Sequence, residues 1–302
     1  MKVKAKSIAS PSERLLNVVF HIIMVILAVS CLYPFLVILG SSFQTQEEIM
    51  ELGYRAIPKE FTMEAYKLIF LTPKSIIDAY VITFFTTLIS TVCGLLLVST
   101  CGYVMSRNDF AYKRVLSLFV FFTMLFNGGM VPSYILMTRW LGLKDSLLAL
   151  IIPGMCTAWN ILLMKGFFKT IPSSLIESAK LDGAGEFQIF ARIIVPISKP
   201  AFATVGLLLT LTFWNEWFNS LLYINDPTKV KLQYLLITML RNVEFLSSPE
   251  AQQYGVLTGM ETIPVMSVRM AMCVLAAGPI LLIFPFFQKY FVKGLTVGAV
   301  KG

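Results

Sequence analysis

Histidine is almost absent from this 302-residue chain, and His21 is its only example. That excludes His-based zinc sites and histidine proton relays. Cysteine is scarce too: Cys31, Cys93, Cys101, Cys156 and Cys273 form an odd set without a C-x-x-C pair. All five fall in apolar stretches, so they read as small buried hydrophobes rather than as disulfides or ligands. No G-x-x-x-x-G-K-[ST] occurs, and without that phosphate cradle the chain itself is not expected to bind ATP. Catalytic groups cluster nowhere, so no catalytic residue, cofactor site or metal site is expected. Charge is sparse at 14% of residues, and the net +8 contains no useful basic run interleaved with aromatics. Nucleic acid is therefore not an expected partner. A convincing internal repeat is missing as well.

What fills the chain is apolar surface. It is 57% hydrophobic with a mean hydropathy of +0.76, whereas soluble domains are about half apolar and a quarter charged. A membrane span needs about 20 apolar residues. Six stretches qualify, at about 15–39, 76–105, 115–137, 146–168, 200–224 and 269–291. The expected fold is an all-α membrane protein with six transmembrane helices over 15–292, a tail at 1–14 and another at 293–302. The first stretch exceeds the roughly 7–15 apolar residues of a cleaved signal peptide and lacks a small-residue cleavage site, so it reads as an uncleaved span. The second carries Thr83, Thr86, Thr87, Ser90, Thr91, Gly94, Ser99, Thr100 and Gly102, small residues that let helices approach closely in lipid. Asn127-Gly128-Gly129 and Pro132 predict a break in the third, and Pro153-Gly154 interrupts the fourth. Pro200 suits the first turn of the fifth. Gly278-Pro279 and Pro285 lie inside the sixth.

Two sizeable polar loops remain, 41–75 and 225–268. In the first, Thr62 can cap a short helix through Phe70, and both a solvated connector and a partner contact fit its composition. The second contains a helix from about Gln233 to Phe245, with breakers at Pro249, Gly255, Gly259 and Pro264. Both termini inside the cell, with 106–114 and 165–199, gives 15 Lys/Arg inside against 10 outside, the latter over considerably more residues. This satisfies the positive-inside rule.

Residues 169–199 interrupt the apolar pattern. The core of this island, ESAKLDGAGEFQIFARIIVP at 177–196, reads as two short helices about a tight corner. Ser174 and Glu177 have capping-box spacing after Pro172, and Leu175, Ile176 and Ala179 share a face. Gly183 after Asp182 suits a left-handed helix stop. Phe187, Phe190, Ile193 and Ile194 continue a second helix past Arg192, and Pro196 is expected to close it. The residues alone leave two readings open: an amphipathic linker lying on the membrane surface, or an apolar knob for a soluble partner.

The spacing Glu177-Ser178-Ala179, Gly183, Ile193, Val195, Pro196 resembles the EAA loop of importer permeases in the ATP-binding cassette (ABC) superfamily. The departures are Ser178 for Ala and Val195 for Leu. Asp182 before the glycine and Ser198-Lys199-Pro200 afterwards are similar to the carbohydrate-uptake, MalG-like permeases. The resemblance extends over nearly the whole chain. It implies a type I ABC importer permease fold with N- and C-termini in the cytoplasm, in the bacterial cytoplasmic membrane. It implies a binding-protein-dependent complex: a second six-span permease, two ABC ATPase subunits that use ATP and Mg, and an extracytoplasmic solute-binding protein. An oligosaccharide or related sugar would be the substrate, and the looser likeness of 129–225 extends to importers of uronate-containing oligosaccharides. ATPase coupling would fall to Glu177, Ser178, Ala179, Asp182, Gly183, Ile193 and Pro196. The tail Gly294–Gly302 resembles an end that reaches between ATPase subunits.

One further constellation lies in the apolar part. Asn215, Glu216 and Asn219, with Trp214 and Trp217 beside them, put an ionisable group at membrane depth, costing about 2–3 kcal/mol on insertion scales. They are candidates for the translocation path or a gate, as is Asn160 on the fourth stretch. Interfacial anchoring by the tryptophans, or a Glu satisfied by a neighbouring helix, would explain the same residues. An ion-coupled secondary transporter is the alternative to an ATP-driven one, but only Glu216 offers an ion-coupling carboxylate, and no inverted repeat is evident.

Overall fold

The computed structural model describes residues 11–246, 248 and 264–299. The tail before residue 11, the expected breakers Pro249, Gly255 and Gly259, and residues 300–302 lie outside them. Helix predominates in the described residues, and there is no strand among them. Its contacts separate two units, residues 1–71 with 240–275 and residues 72–239 with 276–302.

In the first unit, α1 (Pro11–Ser41) is apolar all round, with none of its apolar window buried by the rest of the chain. A helix hydrophobic on every side belongs inside a membrane or a large core. The following loop is folded. Thr45 caps α2 (Gln46–Leu52), its Oγ1 accepting from the N–H of Glu48 at 3.1 Å. The Glu48 carboxylate accepts from Gln44 Nε2 and the Lys59 N–H, both at 2.9 Å. Burial pushes Glu48 up, but these bonds, with those from Glu60 and the charge of Arg55, leave it below its usual range. Phe43 stacks on Phe61 at 4.8 Å and packs on Tyr66 at 5.1 Å. Short α3 (Glu64–Ile69) follows Thr62, whose Oγ1 accepts from the Glu64 N–H at 3.3 Å. The Ser267 hydroxyl donates to the Gln44 carbonyl at 2.8 Å, which pins the far end of the unit to the same loop.

The second unit is organised on α4 (Pro73–Ser106). Most of its small and hydroxylic residues face inward, with Thr83, Thr86, Ser90 and Ser99 fully buried, while Thr100 is exposed and bonds back to the Leu96 carbonyl. Ser90 Oγ donates to the Ile151 carbonyl at 3.1 Å. A Cβ on Gly94 would stand 2.9 Å from the Met155 carbonyl, so only glycine admits that approach. These residues pack helices together. Against α4 lie α8 (Ala158–Phe168) and α12 (Lys199–Asn215).

The apolar stretches are not all continuous helices. Among the described residues three helices are long and apolar enough to cross a membrane, α1, α4 and the start of α15 (Val265–Ala299), whereas α14 (Leu232–Leu246) is too short. The third stretch splits into α5 (Lys113–Leu125) and α6 (Met130–Ile135), which runs into a π-turn at Leu136–Trp140, with a 110° bend between them. Gly129, at φ +89°, makes that bend. The fourth splits into α7 (Leu148–Ile151) and α8 around Pro153-Gly154. In the last, α15 carries on through Ala299, so the expected tail is helical up to that point. The five cysteines are free, and Cys31, Cys156 and Cys273 are exposed rather than buried.

Candidate docking site

The polar island folds as a corner. Its first arm, α9 (Ser173–Leu181), begins two residues earlier than its capping-box spacing implied. Pro172 occupies the N-cap without a side-chain bond, and Ser174 does not cap. Its carbonyl instead accepts from Ser178 Oγ at 2.9 Å. The arm ends as expected. Gly183 stands at φ +81°, its N–H donates to the Lys180 carbonyl at 3.0 Å, and the Ala184 N–H donates to Ala179 at 2.9 Å. That pair of bonds is a Schellman motif.

The second arm opens at α10 (Glu186–Ile189), where the Gly185 N–H donates to Gln188 Oε1 at 3.3 Å. It widens into a π-turn over Phe190–Ile194 and continues as α11 (Val195–Ile197). Pro196 therefore does not close it. A proline ring clashes with the carbonyl four residues earlier in an α-helix, and the wider turn makes room. The chain turns only after Ile197, by 84° into α12.

The π-turn also divides the apolar residues expected on one face. Ile189 and Ile194 are buried with Ala179 in a core shared with Tyr103, Met105 and Phe168, and Ile193 and Phe190 pack half-buried against it. Phe187 points out at 81% exposed, and Leu181 at the corner is 90% exposed, with Leu175 also exposed. Of the residues singled out from the sequence, Glu177, Ser178, Asp182, Gly183 and Pro196 lie on the exposed surface. Ala179 faces inward, where a larger side chain would push the arm off its core.

Sequence reasoning missed what fastens this corner. Arg107 and Asp109 follow α4, and Arg107 makes a two-pronged bond to Asp109, Nε to Oδ1 at 2.9 Å and Nη2 to Oδ2 at 2.6 Å. Lys180 of the first arm reaches Asp109 at 2.6 Å and Glu186 of the second arm at 2.8 Å. Glu186 returns to Arg107 at 3.3 Å, closing a ring of alternating charge. Tyr103 donates to Glu186 Oε2 at 3.1 Å. The bonds from Arg107 and Lys180 hold the Asp109 carboxyl well below the usual range, and that from Lys180 lowers Glu186. Lys180 rises in return through its bond to Asp109. The only sequence signal was the charged run RND after a long apolar helix, about 70 residues upstream of the corner by chain count. A cleft of about 380 Å³ opens beside the ring, lined by Arg107, Asp109, Lys169, Ser173, Glu177 and Lys180.

The second constellation sits where α12 breaks before α13 (Phe218–Tyr223). Glu216 Oε1 accepts from the Asn219 N–H at 2.6 Å, capping α13. Its other oxygen lies 3.7 Å from Nζ of Lys231, which is fully buried and also donates to the Phe213 carbonyl at 2.9 Å. Asn215 is exposed and bonds back to the Leu211 carbonyl at 2.9 Å. Trp217 is half-buried against Phe218. Trp214 is buried, its Nε1 donating to the Ala276 carbonyl at 3.0 Å, and so is no interfacial anchor. Asn160 is buried on α8, and among the described residues no hydrogen bond joins it to this group.

The comparisons agree on one kind of protein. A family profile described as "Binding-protein-dependent transport system inner membrane component" matches residues 81–297. The chain is 38% identical to a polygalacturonan/rhamnogalacturonan transport system permease protein of Bacillus subtilis, over 96% of this chain and 99% of that one. It is 28% identical to an arabinooligosaccharides transport system permease protein of the same organism, over 97% and 99%. Its fold resembles a chain in the crystal structure of a bacterial ABC transporter involved in the import of the acidic polysaccharide alginate. There the TM-score is 0.75 and the identity 30%, over 95% of this chain and 100% of that one.

Proposed function

Since this chain belongs to the binding-protein-dependent transport system inner membrane components, as a permease subunit of an ABC importer, we propose that it forms half of a pore for oligosaccharides, acidic ones in particular. Uronate-containing chains are favoured because two similar proteins, one by sequence and one by structure, carry names that concern acidic polysaccharides. In this reading six spans cross the bacterial plasma membrane with both termini cytoplasmic, the broken stretches at 115–137, 146–168 and 200–224 each crossing once. The partners are a second permease, two ATPase subunits and an extracytoplasmic binding protein. ATP and Mg are used on the ATPase, and sugar is passed through the pore without chemistry on this chain.

The corner at Gly183 docks in a cleft of the ATPase. One observation carries this reading: Phe187 and Leu181 stand 81% and 90% exposed on a polar segment between apolar helices. Two large apolar side chains exposed at one bend and rimmed by polar residues fit a partner contact on a segment too polar for lipid. Glu177, exposed on the first arm, offers a polar rim for a basic partner group. When the ATPase dimer closes on ATP, the corner moves with the helices joined to it, and packed helices rock as rigid bodies. For the path, Asn215 is the most accessible polar candidate at the α12–α13 break, and Asn219, Trp217 and Asn160 adjoin the core. Glu216 is held inward by Lys231 and serves first to fix the break.

The test is purification from native membranes in mild detergent, comparing wild type with Gly183→Pro. A second six-span protein and a Walker-motif ATPase should accompany the wild type, and the ATPase should be lost from the variant. An ATPase indifferent to Gly183→Pro would overturn the docking reading, and a chain purified alone would reopen ion-coupled transport.

A further inference from the structure

We infer that Arg107 and Asp109 are positioning residues that tie the docking corner to α4, so that force received at the corner reaches α4 directly. This rests on the ATPase-docking reading above and adds to it a route into the helix core. By chain connectivity the corner joins only α8, through residues 169–172, and α12, through Ser198. Helix α4, against which both of those pack, is separated from the corner by α5 to α8 and meets it only through tertiary contacts.

Those contacts are of two kinds. Tyr103 and Met105 share the apolar core with Ala179, Ile189 and Ile194, an attachment that holds the corner close but is non-directional. The charged ring adds direction. Lys180 and Glu186 flank Gly183, one on each arm, and bond to each other at 2.8 Å, so the ring spans the corner as well as tying it down. Each charge in it touches two of opposite sign: Arg107 with Asp109 and Glu186, Lys180 with Asp109 and Glu186. Isolated exposed pairs contribute little, whereas a network with a forked arginine bond holds geometry. The Arg107 side chain is only 10% exposed and lies across the Tyr103 ring, 5.7 Å from its centroid. The arginine is thus fixed to α4 on one side and holds the corner on the other. Opening the corner or sliding it along α4 would separate charges.

The experiment uses the complete importer, this chain with its partner subunits, in proteoliposomes, and measures sugar uptake per ATP hydrolysed. Asp109→Asn, at a half-exposed position that tolerates the change, and Arg107→Gln each remove one charge from the ring. The ATPase should remain bound and hydrolyse ATP as before, while uptake per ATP falls about 5-fold or more, the low end of ordinary coupling free energies. Arg107→Lys, which keeps the charge but loses the fork, should recover only part of the loss. Unchanged uptake per ATP in both Asp109→Asn and Arg107→Gln would overturn the proposal. So would loss of the ATPase from the Asp109→Asn complex, because the ring would then belong to the docking surface. A wild-type preparation without ATPase would instead remove the docking reading itself, a failure the same assay registers separately.

Discussion

Lys231 Nζ lies 3.7 Å from Glu216 Oε2, with the lysine fully buried and donating to the Phe213 carbonyl at the same time. The pair bridges the α12–α13 break. Removing one member of a buried ion pair leaves an uncompensated charge and costs about 3–5 kcal/mol, while replacing both is often close to neutral. Lys231→Met should therefore lower thermal stability in detergent by at least on the order of 3 kcal/mol. The double variant Lys231→Met/Glu216→Gln should recover most of that. Additive losses would show that the two side chains act independently.

Gly183 tests the corner's geometry apart from its contacts. Nothing lies within 4 Å of where its Cβ would be, so a substitution there meets no clash and feels only the left-handed backbone at φ +81°. That conformation costs roughly 1–2 kcal/mol for ordinary residues and less for Asn. Recovery of the ATPase with the purified chain should fall in the order Gly, Asn, Ala, Val. Equal recovery from Ala and Asn would contradict the conformational argument.

On the docking proposal, Phe187 should contribute little to the fold and much to ATPase binding. Because it is exposed, Phe187→Ser should leave the melting temperature nearly unchanged, as surface substitutions usually stay within about 0.5 kcal/mol. Affinity for the isolated ATPase should drop about 30-fold, the equivalent of a 2 kcal/mol hot spot. Titration of the detergent-solubilised chain with ATPase measures both effects in one preparation.

The charged ring should be insensitive to pH across the neutral range. Asp109 and Glu186 are lowered in the folded chain, so their contribution is full above their unfolded values and is lost as pH falls through the depressed ones. Lys180 is raised, so its contribution is full below its unfolded value and lost only as pH climbs through the folded one. Amide exchange over residues 180–186, corrected for the intrinsic rate, should stay flat from about pH 5 to 9 and rise below about pH 4, the unperturbed carboxylate value. A transition near neutrality would mean another group controls the corner.

Gly40 closes the folded loop of the first unit. A Cβ there would collide with the carbonyls of Arg55 and Ala56, which are backbone atoms in a segment already bonded to Ser41 and Gln44. Gly40→Ala should destabilise by about 1–3 kcal/mol, the usual cost of overpacking. Limited proteolysis within 45–60 should accelerate with it.

Hydrophobicity alone determined much of this protein. Long apolar runs have no stable fate outside a membrane or a large core, so the helices at Pro11–Ser41 and Pro73–Ser106 were legible, as were the breaks at Gly129 and at Pro153-Gly154 and the helix stop at Gly183. Those are local properties: a period, a missing Cβ, a missing N–H. The charged ring and the Glu216–Lys231 pair were not legible, because their partners are separated along the chain and nothing in either local sequence specifies the other. Pro196 was misjudged for a related reason. A proline ends an α-helix by clash, but whether the chain stops or widens into a π-turn depends on the core that Ile189 and Ile194 enter. The sequence by itself determined which segments shun water and where the backbone must bend. Only the tertiary structure decided which charges meet, which apolar side chains of the corner turn inward, and which stay exposed, because those outcomes depend on what packs against each face.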